Sequence, residues 1–247
     1  MKCYIVNLDK DIERRKYITS ILKNWETLEP MFISAIYGKG LSSDELNSKF
    51  DLPKSYKRYG RNLNPGEIGC TLSHFKCFNT LLNSTDEHVL ILEDDITILR
   101  DISEIETLTA SLPKDRPWVI FLSADYWYTS LRSVSRTNSI ANVYDAVGTY
   151  AYVINRKGAE LLLKKNPRPS SVADNWSLYR RQGLKLYAVY PYMIDANIES
   201  FESSIEQNYF GEIRKNMPLS MRIQAYWLSA IKHFLLRFGH FVSKIRK

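Results

Sequence analysis

The stretch His88-Val89-Leu90-Ile91-Leu92-Glu93-Asp94-Asp95-Ile96 decides how this chain is read. Four apolar residues rich in β-branching predict a buried strand, and three carboxylates arrive together at its end. Side chains alternate along extended backbone, which puts Glu93 and Asp95 on one side and Asp94 on the other. Two carboxylates on one side of a strand end offer hard oxygen ligands for Mg²⁺ or Mn²⁺, with positions left for phosphates. The alternative is a polar turn that only caps the strand. The rest of the chain has to choose between them.

The chain has 247 residues, enough for one α/β domain with a sizeable core. It is 45% hydrophobic and 25% charged, which is ordinary for a globular protein. Aromatic residues make up 13%, so ring-lined surfaces or pockets are expected. Cys3, Cys70 and Cys77 are odd in number and lack zinc spacing, so reduced thiols in a cytoplasm are expected. Met1 to Val6 goes straight into a strand-like run without the apolar length of a signal peptide. No later run is long and uncharged enough to span a bilayer. The net charge is +7, but Ile213 to Lys247 holds eight Lys or Arg and no acid. Without those eight, 26 basic residues face 27 acidic ones. The basicity belongs to the tail, and no nucleic-acid partner is indicated for the body.

Cys3 to Leu8 predicts a first strand, and Ile12 to about Trp25 a helix after an acidic turn. No glycine-rich phosphate loop is present. Arg14 and Arg15 suit phosphate oxygens, or are solvated helix charges. Phe32 to Ile36 predicts a short strand, and Gly38 to Asn64 a surface excursion with one short helix. Asn64-Pro65-Gly66-Glu67 signals the start of a helix whose buried face carries Cys70, His74, Cys77, Phe78 and Leu81. A His on such a face is commonly a hydrogen-bonded core residue. Asp101 to Leu112 predicts a helix, and Trp118 to Leu122 a buried strand leading to Asp125, where open α/β sheets bind ligands. Residues 129–142 read as a mobile loop. Val143 to Val147 and Thr149 to Ile154 read as strands around Gly148, Arg156 to Lys165 as a helix, and Lys185 to Tyr190 as the last strand. Asp174 opens a short helix, as an N-cap or as a functional acid.

From Leu219 onward, Ile223, Trp227, Ile231, Phe234, Phe238, Phe241 and Ile245 recur at helical spacing, with basic residues mainly opposite. An acid-free basic helix with aromatic residues on its apolar face fits an anionic membrane surface. The competing account packs the stripe on this domain, or on a second copy in a homodimer.

Tyr4 to Asp9 with Arg14-Arg15, Gly66 to His74, Leu90 to Asp95, and Gly148 to Ile154 with Gly158-Ala159 together resemble glycosyltransferase family 25, the lipopolysaccharide and lipo-oligosaccharide glycosyltransferases. The segments appear in family order and cover residues 1 to about 205; the tail and residues 38–60 fall outside the match. The resemblance implies a GT-A-like α/β domain over residues 1–212, with a mixed, mostly parallel central sheet flanked by helices. The periodicity of the tail predicts a basic amphipathic helical tail over residues 213–247, outside that match. The resemblance also implies a UDP-hexose donor (often UDP-galactose), a divalent cation, Mn²⁺ or Mg²⁺, and an inverting transfer. Asp95 and Glu93 take the place of the family's metal carboxylates, with Glu where the first Asp is usual. Asp94 faces the other way and holds the loop. Asn7, Asp9, Arg14 and Arg15 are expected beside the nucleotide, and Glu67 and His74 in the wall of the donor pocket.

Glycosyl transfer needs the charge of the departing diphosphate neutralised and an acceptor hydroxyl deprotonated. Asp174 and then Asp125 are the candidates for the base. The expectation is a cytoplasmic enzyme, peripheral on the inner membrane, that acts on a lipid-linked oligosaccharide. An inactive sugar-binding or scaffold protein on the same fold is the rival, and release of UDP from a UDP-sugar separates them. A phosphodiesterase or nucleotidyltransferase is disfavoured, because no second acidic or His cluster with ligand spacing is apparent.

Overall fold

The computed structural model describes residues 1–123 and 125–197, together with 223, 226, 227, 230, 243 and 244. Its strands are β1 (Lys2–Asn7), β2 (Glu29–Ser34), β3 (His88–Glu93), β4 (Ile96–Ile98), β5 (Trp118–Phe121), β6 (Tyr126–Ser133), β7 (Ser139–Ala146), β8 (Ala151–Asn155), β9 (Lys185–Tyr190), β10 (Ile194–Ala196) and β11 (Ser243–Lys244). Its α-helices are α1 (Ile12–Leu22), α2 (Ser43–Lys49), α3 (Leu52–Tyr59), α4 (Pro65–Leu82), α5 (Ile105–Ala110), α6 (Arg156–Lys165) and α7 (Trp176–Arg181).

Val89 to Leu92 are fully buried because β3 lies inside a nine-stranded sheet of order β11-β6-β7-β9-β5-β8-β3-β1-β2. β3 pairs in parallel with β1, which pairs in parallel with β2, and β5 pairs in parallel with β9. β8 runs antiparallel between β3 and β5, and β7 runs antiparallel between β6 and β9. Six strands therefore run one way, with β7, β8 and β11 opposed: the sheet is mixed and mostly parallel. Alternation along each strand feeds two cores. On one face Tyr4, Ile91, Phe121, Tyr152 and Ile154 pack against Phe75, Phe78 and Leu81 of α4, Leu162 of α6 and Trp176 of α7. On the other, Cys3, Ile5, Leu90, Leu92 and Val153 pack against Ile18 and Leu22 of α1 and Ile105 and Leu108 of α5. Each fully buried aliphatic side chain contributes about 1.5–3 kcal/mol.

The α4 start carries a full capping box: Asn64 Oδ1 accepts from the Glu67 N–H, and Glu67 Oε2 accepts from the Asn64 N–H, both at 2.8 Å. At Gly69 a Cβ would come within 2.5 Å of the Ile36 carbonyl oxygen, so glycine lets the chain after β2 press against α4. The excursion holds two α-helices where one was expected. Phe50 and Leu63 join Ile68 and Leu72 of α4 in a third core, which gives that polar stretch something to fold against.

Other elements also depart from expectation. Residues 129–142 are not a loop: β6 and β7 form a hairpin with Leu131 opposite Ala141 and Arg132 opposite Ile140. The far half of β6 is exposed at the sheet margin, so its composition is polar, while Ile140 and Ala141 anchor β7 in the core. Between 101 and 112 only Ile105–Ala110 is α-helical, because the Asp101 carboxylate accepts the Ser103 N–H at 2.8 Å and bends the chain first. The second strand starts at Glu29, and α1 stops at Leu22. β10 follows what was read as the last strand and pairs with β4.

Most of the expected tail helix lies outside the described residues. Within it, positions 223, 226, 227 and 230 are helical. Tyr226 and Trp227 are 78% and 65% exposed, and Ser243–Lys244 pairs with β6. Among the described residues no helix is long and apolar enough to cross a membrane.

Candidate active site

The C-terminal ends of β1, β3 and β5 and the start of β8 open on one margin of the sheet. There the strand alternation of the acidic triplet ends. β3 stops at Glu93, and Asp94 and Asp95 form the turn into β4. The two aspartates share one cation: Arg14 Nη1 donates to Asp94 Oδ1 at 3.0 Å and to Asp95 Oδ2 at 2.9 Å. Asn7 Nδ2 donates to Asp94 Oδ2 at 2.8 Å and to the Asp11 carbonyl at 3.2 Å. Burial raises the Asp94 pKa. Burial, and then the charge of Glu93, push Asp95 up to about 6 against the pull of Arg14. Asp95 Oδ1 is buried with no hydrogen-bond partner. A buried acceptor left open among three carboxylates suits a hard divalent cation, so the residues present fit Mn²⁺ or Mg²⁺.

Glu93 turns toward α4 and the start of β8. Thr149 Oγ1 donates to Glu93 Oε1, and His74 Nε2 lies 3.6 Å from the same oxygen. Burial works to raise the Glu93 pKa, but the neighbouring His74 ring, the Thr149 hydroxyl and the charge of Arg14 hold it below the ordinary value. His74, 2% exposed, places Nδ1 2.8 Å from the Tyr152 hydroxyl. Cys70, one turn earlier on α4, completes this group, and burial pushes its thiol well up.

Asp174 is not a helix cap. Asn175 takes that role by accepting the Leu178 N–H, which frees Asp174 to receive the Gly148 N–H at 3.1 Å. Trp176 Nε1 donates to the Gly148 carbonyl at 2.9 Å, so both peptide groups flanking Gly148 are tied to the 174–176 turn. Burial raises the Asp174 pKa, with Glu93 and Glu67 adding to it. Asp125 holds the left-handed region at φ 68°, a strained place for a residue with a Cβ. Tyr150 stands in the field of all these acids. Burial pushes its phenol up to about 12, and Glu93, Asp95, Asp125 and Asp174 push the same way.

Four carboxylates from three segments (Glu93 and Asp95 at the end of β3, Asp125 after β5, Asp174 before α7) thus act on Tyr150, with Arg14, Asn7 and Asp94 beside Asp95. Other expected residues are engaged elsewhere. The Arg15 guanidinium lies 4.0 Å over the Phe32 ring, and Asp9 accepts from the Ser34 hydroxyl at 2.5 Å. The Glu67 carboxylate serves the capping box and a two-point ion pair with Arg61 at 2.5 and 2.7 Å, which makes it part of the frame. Tyr150, Thr149 and Cys70 were missed as site residues. The signals visible beforehand were the four-residue spacing of Cys70 and His74 and the family-like stretches Gly66 to His74 and Gly148 to Ile154 that contain all three.

Comparison with known proteins gives the family. The family model described as Glycosyltransferase family 25 (LPS biosynthesis protein) matches residues 1–175. Procollagen galactosyltransferase 1 of Danio rerio is 26% identical over 176 residues, 66% of this chain and 28% of that protein. Procollagen galactosyltransferase 2 of Homo sapiens is 23% identical over 214 residues, 77% of this chain and 34% of that protein. The chain spans about a third or less of the length of these relatives. The solved galactosyltransferase LgtC, in complex with donor and acceptor sugar analogs, superposes at TM-score 0.37 with 12% identity, over 89% of this chain and 84% of that one. With residues 1–175 of 247 matched, from the first strand to the Asp174 turn, the chain belongs to glycosyltransferase family 25.

Proposed function

We propose that this GT-A-like protein transfers a hexose, galactose first among them, from a UDP-sugar to a lipo-oligosaccharide or lipopolysaccharide acceptor with inversion at the anomeric carbon. The observation that carries the reading is the acidic margin at the end of β3, where Asp95 Oδ1 is buried without a hydrogen-bond partner, Asp174 is held by the Gly148 N–H, and Glu93, Asp95, Asp125 and Asp174 all act on the partly buried Tyr150 phenol. Carboxylates gathered at the ligand-binding margin of an α/β sheet are costly to bury, and their use is to meet a cation and a reacting hydroxyl.

In a single displacement the acceptor oxygen bonds to the anomeric carbon, the bond to the diphosphate breaks, and the hydroxyl proton goes to a carboxylate. Asp174 is the proposed base. Its raised pKa strengthens it as an acceptor, and the Gly148 N–H fixes its orientation. Asp125 is the second candidate. Asp95 with Glu93 would hold a Mn²⁺ or Mg²⁺ ion, which would supply Lewis acidity against the charge of the departing diphosphate. Arg14 holds Asp94 and Asp95 in place and adds positive charge on the donor side, while Asn7 steadies Asp94. The acid-free stretch from 213 and the exposed Ile223, Tyr226 and Trp227 support a basic helical unit that keeps the enzyme on the cytoplasmic face of an anionic inner membrane.

The test is a panel of UDP-sugars with Mn²⁺, with and without a lipo-oligosaccharide acceptor, read as UDP released. One hexose donor is expected to be consumed, and Asp174→Asn should lower kcat about 100-fold or more with little change in UDP affinity. No UDP release from any donor would sink the enzyme reading, and lost UDP affinity in Asp174→Asn would move that residue to the donor side.

A further inference from the structure

A second cluster of ligand atoms lies where α4 meets the end of β3. Cys70 and His74 are four residues apart, so both rise from one face of the helix, and Glu93 faces them. Cys70 Sγ, a His74 ring nitrogen and a Glu93 carboxylate oxygen all lie within 4.8 Å of one another. Tetrahedral zinc, with Zn–N and Zn–O bonds of about 2.0–2.2 Å, holds its nitrogen and oxygen ligands roughly 3.4 Å apart. His74 Nε2 and Glu93 Oε1 already stand at 3.6 Å.

Two further observations point to a ligand. His74 is 2% exposed, and its Nε2 is buried without a hydrogen-bond partner, which is costly unless something fills the place. The outer contacts are those a metal site needs. His74 Nδ1 meets the Tyr152 hydroxyl at 2.8 Å, orienting the ring with Nε2 toward the cluster, and the Thr149 hydroxyl donates to the Glu93 oxygen. Cys70 is only partly buried, and the Glu93 side chain is 23% exposed, which leaves a path for an ion.

We propose that Cys70, His74 and Glu93 bind a thiophilic divalent cation of the Zn²⁺ class, in addition to the hard-cation site at Asp95. Thiolate and imidazole select such an ion over Mg²⁺ or Mn²⁺. On binding, the cation replaces the Cys70 thiol proton, which is released to solvent, and a fourth position stays open to water or an anion. Glu93 stands between the two sites, so a soft cation on Cys70 and His74 draws it away from Asp95. The site stands on these residues whichever donor sugar the enzyme uses.

Full-length protein freed of metal by chelation should take up one equivalent of Co²⁺ with a thiolate-to-cobalt charge-transfer band in the near ultraviolet, and Zn²⁺ should abolish the band. The band should be lost in Cys70→Ser and in His74→Ala and kept in Asp95→Asn, and Tyr152→Phe should weaken Zn²⁺ binding about 10–100-fold. Uptake of Co²⁺ by the unmodified protein without a thiolate band overturns the proposal, and this needs no variant to fold. Undiminished Zn²⁺ affinity in folded Cys70→Ser overturns it equally.

Discussion

Replacing Asp95 by asparagine should stabilise the metal-free protein at neutral pH. Its carboxyl titrates at about 6 in the fold against an ordinary value of 3.8, because burial and Glu93 both oppose its charge. That rise corresponds to roughly 3 kcal/mol of unfavourable free energy in the ionised state at pH 7. The amide removes the charge and keeps the shape. It gives up the 2.9 Å ion pair with Arg14, although Arg14 keeps Asp94 at 3.0 Å, so the net gain is about 1–3 kcal/mol. The sign follows from linkage. An acid whose folded pKa is raised holds its proton more tightly when folded, so stability falls as pH rises from about 4 to about 6 and levels off above. The advantage of Asp95→Asn should therefore be full at pH 7.5 and vanish near pH 4. Urea unfolding of both proteins in chelator at the two pH values measures it. Mn²⁺ should reverse the order at pH 7.5 by stabilising only the unsubstituted protein. The reasoning fails if the variant is the less stable protein at pH 7.5 in chelator, or if the difference does not change with pH.

Gly148→Ala would place a Cβ 2.6 Å from the Tyr150 ring at φ +85°, costing about 1–2 kcal/mol and shifting the ring and Asp174 together; turnover should drop about 10–100-fold, and unchanged steady-state kinetics would count against the site. In Asn155→Ala the Trp118 and Gly158 N–H groups lose their shared acceptor, at 2.9 and 2.8 Å, so chemical unfolding should report a loss of about 2–4 kcal/mol. Deleting residues 218–247 should abolish co-sedimentation with anionic liposomes while UDP release continues with a water-soluble acceptor. A truncated protein that still binds the liposomes removes the tail from the membrane reading.

The elements legible in advance were those written in local periodicity. The apolar run before Glu93 is β3, Asn64-Pro65-Gly66-Glu67 is a capping box, and Arg156 to Lys165 is a helix with the bounds expected. Polar strands were not legible. β6 carries Thr, Ser and Arg at the sheet margin, and only its pairing with Ile140 and Ala141 makes it a strand. The acidic triplet was half legible: its position at a strand end could be read, but the direction of each carboxylate could not, because alternation stops where the turn begins.

The sequence by itself determined the α/β class, the placing of carboxylates at a strand end and the family, since each depends on residue types at short, regular spacing. Only the tertiary structure decided which acid has which neighbour. Asn7 meets Asp94 across 87 positions, and Thr149 meets Glu93 across 56. It also brought Asp125 and Asp174 around Tyr150, and set Glu93 opposite Cys70 and His74. Such contacts are set by sheet order and by how α4 and the 174–176 turn lie on the sheet, and neither leaves a local period in the chain.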